Sequence, residues 1–598
     1  MSNHVNILSL NWGICSGAAS IGAKHVIAAV SEERFSREKN DDSYPRSSLE
    51  YCLNKFGNGG VENLDGVAIA SHHQDYFHQL TRPARWTVKN YIEEQHRYWG
   101  PLLIEGKSVS YESEMQHLVD RTQYPQDYWN DNSFGNETFA NDRKKITSDY
   151  LGIDQNKVVT IDHHRAHAFY AYYSSGLRGR RTLAFVADGM GDGINASIGI
   201  FDEQGRYTQV FNTNQCFIAR YYRYITLLLG MKPNEHEYKL MGLAPYGKEK
   251  HALEALKVFR ETLYVDGIDF KWHIKPSDSY FWFRDRLEGQ RFDSIAWAIQ
   301  RWVEELIATW VDNSMRHFGC DSAIFSGGVA MNVKAMGAVA KLPKLKHFFV
   351  PGSAADESLA IGAGLCMRDD LTFQGLLGQG HTTLDSMYLG PGYSEDNELK
   401  ALSFIDLNKY QIKSAYHSKD IVTRLVAGDI LGRCCGKMEF GQRALGNRSL
   451  LADPAIPNIK EKINATIKSR DFWMPFAPIM LDNYRNEYLV GPHVDSPYMT
   501  IGYDTTPQGY AAMIAACHPA DKTARAQILT KVKNSKMYSI LEEFAAETGR
   551  GALLNTSFNV HGEPIVNTPQ EAIDVLNRTN LDGLILDRHL IIRKEAVI

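Results

Sequence analysis

Residues 182–213 read TLAFVADGMGDGINASIGIFDEQGRYTQVFNT, and this stretch decides the fold. Thr182–Ala187 is a short apolar run that stops at Asp188 and a cluster of glycines. Ala196–Phe201 and Tyr207–Phe211 follow after Gly- and Asp-rich breaks. Short runs bounded by turn residues predict three strands. Downstream, Phe292–Phe318 predicts a long amphipathic helix. Ser322–Phe325 predicts a strand, Gly327-Gly328 opens a helix, and His347–Val350 predicts the next strand. Strands followed by helix, strand, helix and strand predict an α/β fold, a mixed sheet flanked by helices.

Working outward, Lys157–Ile161 predicts a strand and His163 to about Tyr173 a helix. The opening holds strand runs at Val5–Leu10, His25–Val30 and Gly66–Ala70, with NWGICSGAAS (11–20) between the first two as a small-residue turn. Residues from about 74 to 150 are rich in Tyr, Trp, His, Asn and Asp, with weak periodicity. They predict a partly helical insertion that either lines a binding cleft or decorates the surface. Trp86, Tyr98, Trp99 and Tyr128 are its candidate walls, although packing into a core is the commoner fate of any one ring. The Gly-, Thr- and Ser-bearing stretch Gly375–Asp396 marks a boundary, giving domains at 1–385 and 395–598. In the second domain Ser418 reads as the N-cap of KDIVTRLVAG, which stops at Gly428, and ILGRCC reads as a strand.

At 598 residues the chain is too long for one core. Hydrophobic content of 44% and charged content of 23% fit an ordinary globular protein. A net charge of -5 argues against a dedicated nucleic-acid binder, for which a basic surplus is expected. The eight cysteines form no CxxC pair and read as reduced thiols of a cytoplasmic enzyme. The first residues lack a basic n-region with an apolar core, and no apolar run reaches about 18 residues, so neither export nor membrane insertion is expected.

Three groups of residues carry chemistry. His163 and His167 stand four apart on a predicted helix and share one face, where two imidazoles can bind one metal. Histidines packing against neighbours are the competing reading. Asp356, in PGSAADESLAIGAG after the strand at 347–350, is the candidate third ligand, or else a helix cap. Two histidines and a carboxylate leave open positions and suit Fe(II), Zn or Mn. The second group is the Gly-rich turns ADGMGDG (187–193), MGLAPYG (241–247) and FSGGVAMN (325–332), whose backbone N–H groups can meet phosphate. Asp188, at the end of its strand, can hold a metal or a hydroxyl. The third lies in the last third: Lys437, Arg443, Arg448, Lys468, Arg470, His518, Lys522 and Arg525, with Asn555, Ser557 and Asn559. Cations mixed with neutral donors suit a phosphate-bearing substrate, if they converge.

GKMEFGQRALGNRS, RDFWMPFAP and LLNTSFNVHGEPIVNTPQEAI, preceded in order by SEERFSREKNDDSYP, DHHRAHAFYAYYSS, HEYKLMGLAPYG, SGGVAMN and AADESLAIGAG, resemble the nodulation-type O-carbamoyltransferases. That family includes enzymes tailoring aminoglycosides, cephamycins, ansamycins and alkaloid toxins. The resemblance runs from about Asn6 to Asn567. It implies an actin/hexokinase-like bilobal N-terminal domain, similar to tRNA threonylcarbamoyl transferases, and a C-terminal α+β domain similar to the YrdC family. It implies that Arg443, Lys468, Arg525, Asn555 and Ser557 process carbamoyl phosphate with ATP into a carbamoyl-adenylate. It implies metal binding by His163, His167 and Asp356, with Fe(II) first and Mg also considered. Asp188, Gly189, Lys239, Gly327, Gly328 and Asn332 are the implied nucleotide contacts. The acceptor is implied to be a small hydroxyl-bearing molecule, with no nucleic acid or membrane partner, and a homodimer is the default assembly. One departure stands out: Ile14 and Cys15 occupy the positions of the family's His-Asp pair, which leaves His164 and Asp192 as candidate acceptor-activating bases. The alternatives are an actin-like ATP-binding scaffold that has lost catalysis, or a tRNA-modifying or hydrogenase-maturation carbamoyltransferase.

Overall fold

The computed structural model describes residues 5–57, 60–73, 76–123, 136–377, 383–491 and 494–594. They form two compact units: Met1–Glu32 with Asn40–Asp385, and Glu33–Lys39 with Ser386–Ile598.

The first unit is a mixed α/β structure built on one strand plan used twice. Strands β1 (Ile7–Asn11), β2 (Gly17–Ile21), β3 (Val26–Ser31), β4 (Gly66–Ala70) and β5 (Val158–Ile161) form a sheet in the order β3-β2-β1-β4-β5. β1 to β3 are an antiparallel meander, and β4 and β5 add in parallel beside β1. Strands β6 (Thr182–Gly191), β7 (Ile194–Phe201) and β8 (Tyr207–Thr213) repeat the meander. After the hairpin β9 (Leu263–Asp266) and β10 (Asp269–Trp272), β11 (Ser322–Ser326) and β12 (His347–Phe349) add in parallel beside β6, in the order β12-β11-β6-β7-β8. Each sheet is thus an antiparallel meander of three strands extended by two parallel ones.

The helices that follow the two sheets change sides. His163–Ser174 leaves β5 yet packs on β6 and β11, while Leu359–Phe373 follows β12 and packs on β1, β2 and β4. The two helices also pack on each other, so closely that a Cβ on Gly362 would stand 2.0 Å from the Ala166 carbonyl oxygen. Arg165 adds a two-pronged pair to Asp370, at 2.8 and 2.5 Å.

Sequence and structure part at β2. Gly17–Ile21 reads as a turn because Gly, Ala and Ser have little strand preference, yet it is a fully buried strand. Smallness is what the position needs: a Cβ at Gly17 would meet the Val30 carbonyl oxygen at 2.7 Å. The insertion is helical over Tyr76–Thr81, Val88–Glu94, Tyr111–Met115 and Asn136–Leu151. Trp86 is a core residue, clustered with Tyr91, Met115, Tyr224, Leu227 and Tyr280, and its indole N–H donates to the Thr81 carbonyl at 2.9 Å. It is therefore no cleft wall. Tyr98 and Trp99 lie half-buried edge to face, and Tyr128 falls outside the described residues.

The second unit has an eight-stranded sheet. In chain order the strands are β13 (Tyr410–Ser414), β14 (Leu431–Cys434), β15 (Arg448–Ala452), β16 (Ala477–Leu481), then the small pair β17 (Leu489–Val490) and β18 (Asp504–Thr505), then β19 (Gln527–Leu529), β20 (Ala552–Ser557), β21 (Gly583–Ile585) and β22 (His589–Arg593). The sheet order is β13-β22-β21-β14-β15-β20-β16-β19. Its pairs are antiparallel except β14 with β21 and β16 with β19. Successive residues enter opposite cores, Leu450, Leu554 and Leu584 on one face and Leu451, Leu553 and Ile585 on the other. Both faces are thus covered. The helix expected after Ser418 spans Ser418–Val426 and begins at that residue, the Asp420 carboxylate accepting the His417 N–H at 2.8 Å. Among the described residues no helix is long and apolar enough to cross a membrane.

Replacing Gly362 by Val forces the two lobe-crossing helices apart. The expected loss is about 1–3 kcal/mol, the usual cost of overpacking, read as a lower midpoint in chemical denaturation. Wild-type stability in that variant would show that the helices are not seated this closely.

Candidate functional site

The chemistry of the first unit gathers where its strands end. His163 is the first residue of the helix His163–Ser174, which starts because the Asp162 carboxylate accepts the Arg165 N–H at 2.7 Å. His167 follows one turn later, so both rings leave the same face. Asp188 comes from β6 and Asp356 from the turn after β12. One ligand atom from each of these four residues lies within 4.8 Å of the others. The His167 Nε2 stands 3.1 Å from Asp188 Oδ2 and 3.6 Å from Asp356 Oδ1. The His163 Nε2 stands 3.6 Å and 3.8 Å from the same two oxygens.

This arrangement fits a divalent metal. His163 and His167 are buried, and neither Nε2 has a hydrogen-bond partner among the described residues. Buried polar nitrogens without partners are costly, and two of them aimed at two carboxylates make a ligand set of imidazole and oxygen. Burial pushes the His167 pKa down, but Asp188 and Asp356 outweigh it and raise it to about 9. Burial alone would raise Asp188, yet His163 and His167 hold it well below the usual carboxylate range.

Glycines shape the surroundings. A Cβ at Gly191 would sit 2.3 Å from the His163 ring, so only glycine leaves room for that imidazole. Gly327 has φ +89°, and a Cβ there would stand 2.3 Å from the Ala187 carbonyl oxygen. The N–H of Gly328 reaches Asp188 Oδ2 at 3.2 Å, and Gly189 N–H meets Asp188 Oδ1 at 2.6 Å. Asp188 therefore stands within the His163, His167 and Asp356 group, with backbone N–H groups on both of its oxygens. Asn332 is drawn off to cap the helix Val333–Ala340 and to exchange hydrogen bonds with Gln300. Lys239 is half-buried on Glu237–Leu243.

The two substitute bases are otherwise engaged. His164 is fully buried, with Nδ1 3.0 Å from Ser197 Oγ and Nε2 3.3 Å from the Ile194 carbonyl oxygen. Burial and the neighbouring His163 and His167 lower its pKa to about 3. Both nitrogens are committed, so His164 holds structure and does not face an acceptor. Asp192 accepts three backbone N–H groups, from His72, His73 and His163, at 3.0, 2.7 and 2.8 Å. The first turn itself lies close by: Asn11 Nδ2 donates to the carbonyls of Ile14 and Asp356 at 3.2 and 3.1 Å.

The second unit gathers cations. Lys468 is buried, and its ammonium donates to the carbonyl and hydroxyl of Ser557 and to the carbonyl and side-chain oxygen of Asn559, at 2.5 to 3.2 Å. Burial, then Arg470 and Lys39, press its pKa well down. Burial, then Arg443 and Arg470, do the same to Arg525. Asn555 is buried, donates to the Ala444 carbonyl and to Gln527 Oε1, and leaves its own Oδ1 without a donor among the described residues. Arg448 does not belong here. It is fully buried and spends its guanidinium on backbone carbonyls, among them Cys435 and Asn567. Lys437 and Lys522 are exposed. Lys39 escapes a reading by sequence because it lies more than 400 positions from Lys468, in a short segment that belongs to this unit.

The model of the carbamoyltransferase N-terminus matches residues 11–365, and that of the carbamoyltransferase C-terminus matches residues 422–593. The chain belongs to the carbamoyltransferase family. It is an enzyme of that family. An uncharacterized protein of Methanocaldococcus jannaschii is 28% identical over 600 residues, covering 97% of this chain and 99% of its own. The nodulation protein NolNO of Sinorhizobium fredii is 28% identical over 613 residues, covering 99% of this chain and 81% of its own. Among solved structures, full-length HypF in its phosphate- and nucleotide-bound form is 11% identical, covering 61% of this chain and 46% of that one, with a TM-score of 0.31.

If the four-residue group holds the metal of this carbamoyltransferase, His163→Ala and His167→Ala each abolish stoichiometric divalent-ion binding. Asp188→Ala weakens it by at least about tenfold, the usual scale for loss of a supporting ligand. Metal content after equilibrium dialysis is the measurement, and an Asp188 variant with unchanged affinity removes that residue from the ligand set.

Proposed function

We propose that this carbamoyltransferase uses ATP and carbamoyl phosphate and delivers the carbamoyl group to a hydroxyl of a small molecule. The observation that carries the reading is Arg525. Its guanidinium meets no carboxylate among the described residues and lies within the field of Arg443 and Arg470. Like charges held together out of water repel, and a phosphate dianion relieves that repulsion while accepting paired N–H bonds. Carbamoyl phosphate carries such a group on a carbamoyl carbon. In this reading Arg443, Lys468, Arg525, Asn555 and Ser557 bind it, and attack of water releases phosphate and carbamate. The carbamate oxygen then attacks the α-phosphorus of ATP, giving carbamoyl-adenylate and pyrophosphate. Carbamate decomposes in water, so the step calls for a pocket that keeps solvent out.

Transfer belongs to the first unit. His163, His167, Asp188 and Asp356 would hold a divalent ion, Fe(II) first among candidates, which when bound supplies Lewis acidity toward carbonyl or phosphoryl oxygen. Lys239 offers the adenylate a cation, while the N–H groups of Gly189 and Gly328 go to Asp188 and that of Gly327 to the Ala354 carbonyl, so these turns shape the ligand group. The acceptor oxygen bonds to the carbamoyl carbon as the bond from that carbon to the AMP phosphate oxygen breaks, and the hydroxyl proton passes to solvent water. Ile14 is 40% exposed in the first turn and cannot accept that proton; the Cys15 thiol beside it points to Asn40 Oδ1 at 3.6 Å.

Mixing the protein with ATP and carbamoyl phosphate should release pyrophosphate without any acceptor. Arg525→Ala should cut that release by at least about 100-fold, the scale for losing a charge-paired phosphate contact of roughly 3 kcal/mol. No pyrophosphate from the wild-type protein would point instead to an ATP-binding scaffold, and an unchanged rate in the variant would rule Arg525 out of the pocket.

A further inference from the structure

The loop that leaves β4, Ser71-His72-His73, is gripped from two sides by opposite charges. From one side comes Arg143, on the insertion's last helix Asn136–Leu151. It is fully buried, and its guanidinium donates to three successive carbonyls, Ala70 at 3.3 Å, Ser71 at 2.8 Å and His72 at 3.0 Å. From the other side comes Asp192, at the tip of the β6–β7 hairpin. Its Oδ2 accepts from His72 N–H and Oδ1 from His73 N–H, and Oδ2 also accepts from the N–H of His163. Between the two grips, the Ser71 hydroxyl meets His163 Nδ1 at 2.9 Å.

Ser71 and Asp192 both hold left-handed backbone, at φ +67° and +49°. Non-glycine residues adopt that conformation when the surrounding contacts over-determine it, and such residues cluster at functional sites. Asp192 also follows Asp188 by four positions on the same hairpin. One hairpin therefore brings a carboxylate to the metal group and a second carboxylate to the backbone of a metal-binding histidine.

We propose that Ser71, Asp192 and Arg143 are positioning residues that fix the His163 imidazole for metal binding. This rests on the reading of His163, His167, Asp188 and Asp356 as a metal site. The Ser71 hydroxyl fixes the rotation of the ring at Nδ1, and in the tautomer where Nδ1–H donates to Ser71 Oγ the lone pair stands on Nε2. Arg143 and Asp192 hold Ser71 still, one by its carbonyl and the other through the two following N–H groups. The insertion thereby acts on the metal centre of the first unit and not only on its surroundings.

The test is a Co(II) titration of the metal-stripped full-length protein, following the visible absorption of the bound ion. Ser71→Ala removes one hydroxyl from a small residue and should raise the Co(II) dissociation constant by about 10–100-fold, the range for lost outer partners of metal ligands. It should also change the shape of the absorption band while leaving the thermal midpoint of the metal-free protein within a few degrees. Asp192→Asn, which keeps shape and loses the charge that accepts three N–H groups, should do the same. Wild-type protein that binds Co(II), with both variants matching it in affinity and spectrum, overturns the proposal alone. Wild-type protein that binds no Co(II) overturns both the proposal and the metal reading beneath it.

Discussion

Two buried imidazoles and two partly buried carboxylates within 4.8 Å form the constraint around which the first unit is arranged. Such a group is unstable as a set of bare side chains. Buried nitrogens need partners and buried carboxylates need counter-charge, and a divalent ion satisfies both. The strand plan supplies the geometry. The helix that carries both histidines leaves the first sheet and packs on the second, whose strands β6 and β12 lead to Asp188 and Asp356. The closeness of that helix to its partner, set by Gly362 against Ala166, keeps the ligands in range. Gly191 and Gly327 serve the same end by giving up side-chain volume where backbone and ring must approach.

The second unit poses the opposite problem. Its charged groups are cations pressed together, and the relief they need is an anion. Lys468 is held by four oxygens of Ser557 and Asn559, and burial, then Arg443 and Arg470, press the Arg525 pKa well down. One chain thus carries a group of imidazoles and carboxylates in its first unit and a group of cations in its second. A carbamoyltransferase working through an activated carbamate calls for this division, since activation handles phosphates and transfer needs an electrophile held beside a Lewis acid.

Much of this was legible in the residues. Short apolar runs and Gly-rich breaks gave β1, β3 to β8, β11, β12 and β14, but not β9, β10 or the other strands of the second unit, and four-residue spacing paired His163 with His167. Length and order of motifs identified the family. What escaped reading has physical causes. β2 is built of Gly, Ala and Ser, so its strand character comes from burial and close pairing rather than from preference. Asp188 read as a holder of a metal or a hydroxyl, because a strand followed by glycines suits either role, and its approach to two imidazoles emerges only in the fold. His164 looked free beside two ligands, yet the helix turns its ring inward to Ser197 and Ile194. Arg448 read like the other cations of the last third and proved to be a strut for backbone carbonyls. Lys39, Ser71 and Arg143 carry no motif of their own, because their roles depend on contacts between segments far apart in the chain.

The account stands on a separation between making the activated carbamate and using it. The most direct measurement follows pyrophosphate and carbamoylated product together, in protein stripped of metal and then reloaded, with ATP, carbamoyl phosphate and a panel of alcohols. The account predicts that stripped protein still releases pyrophosphate while product appears only after reloading. Pyrophosphate release that vanishes with the metal, or product that forms at full rate without it, would contradict the account.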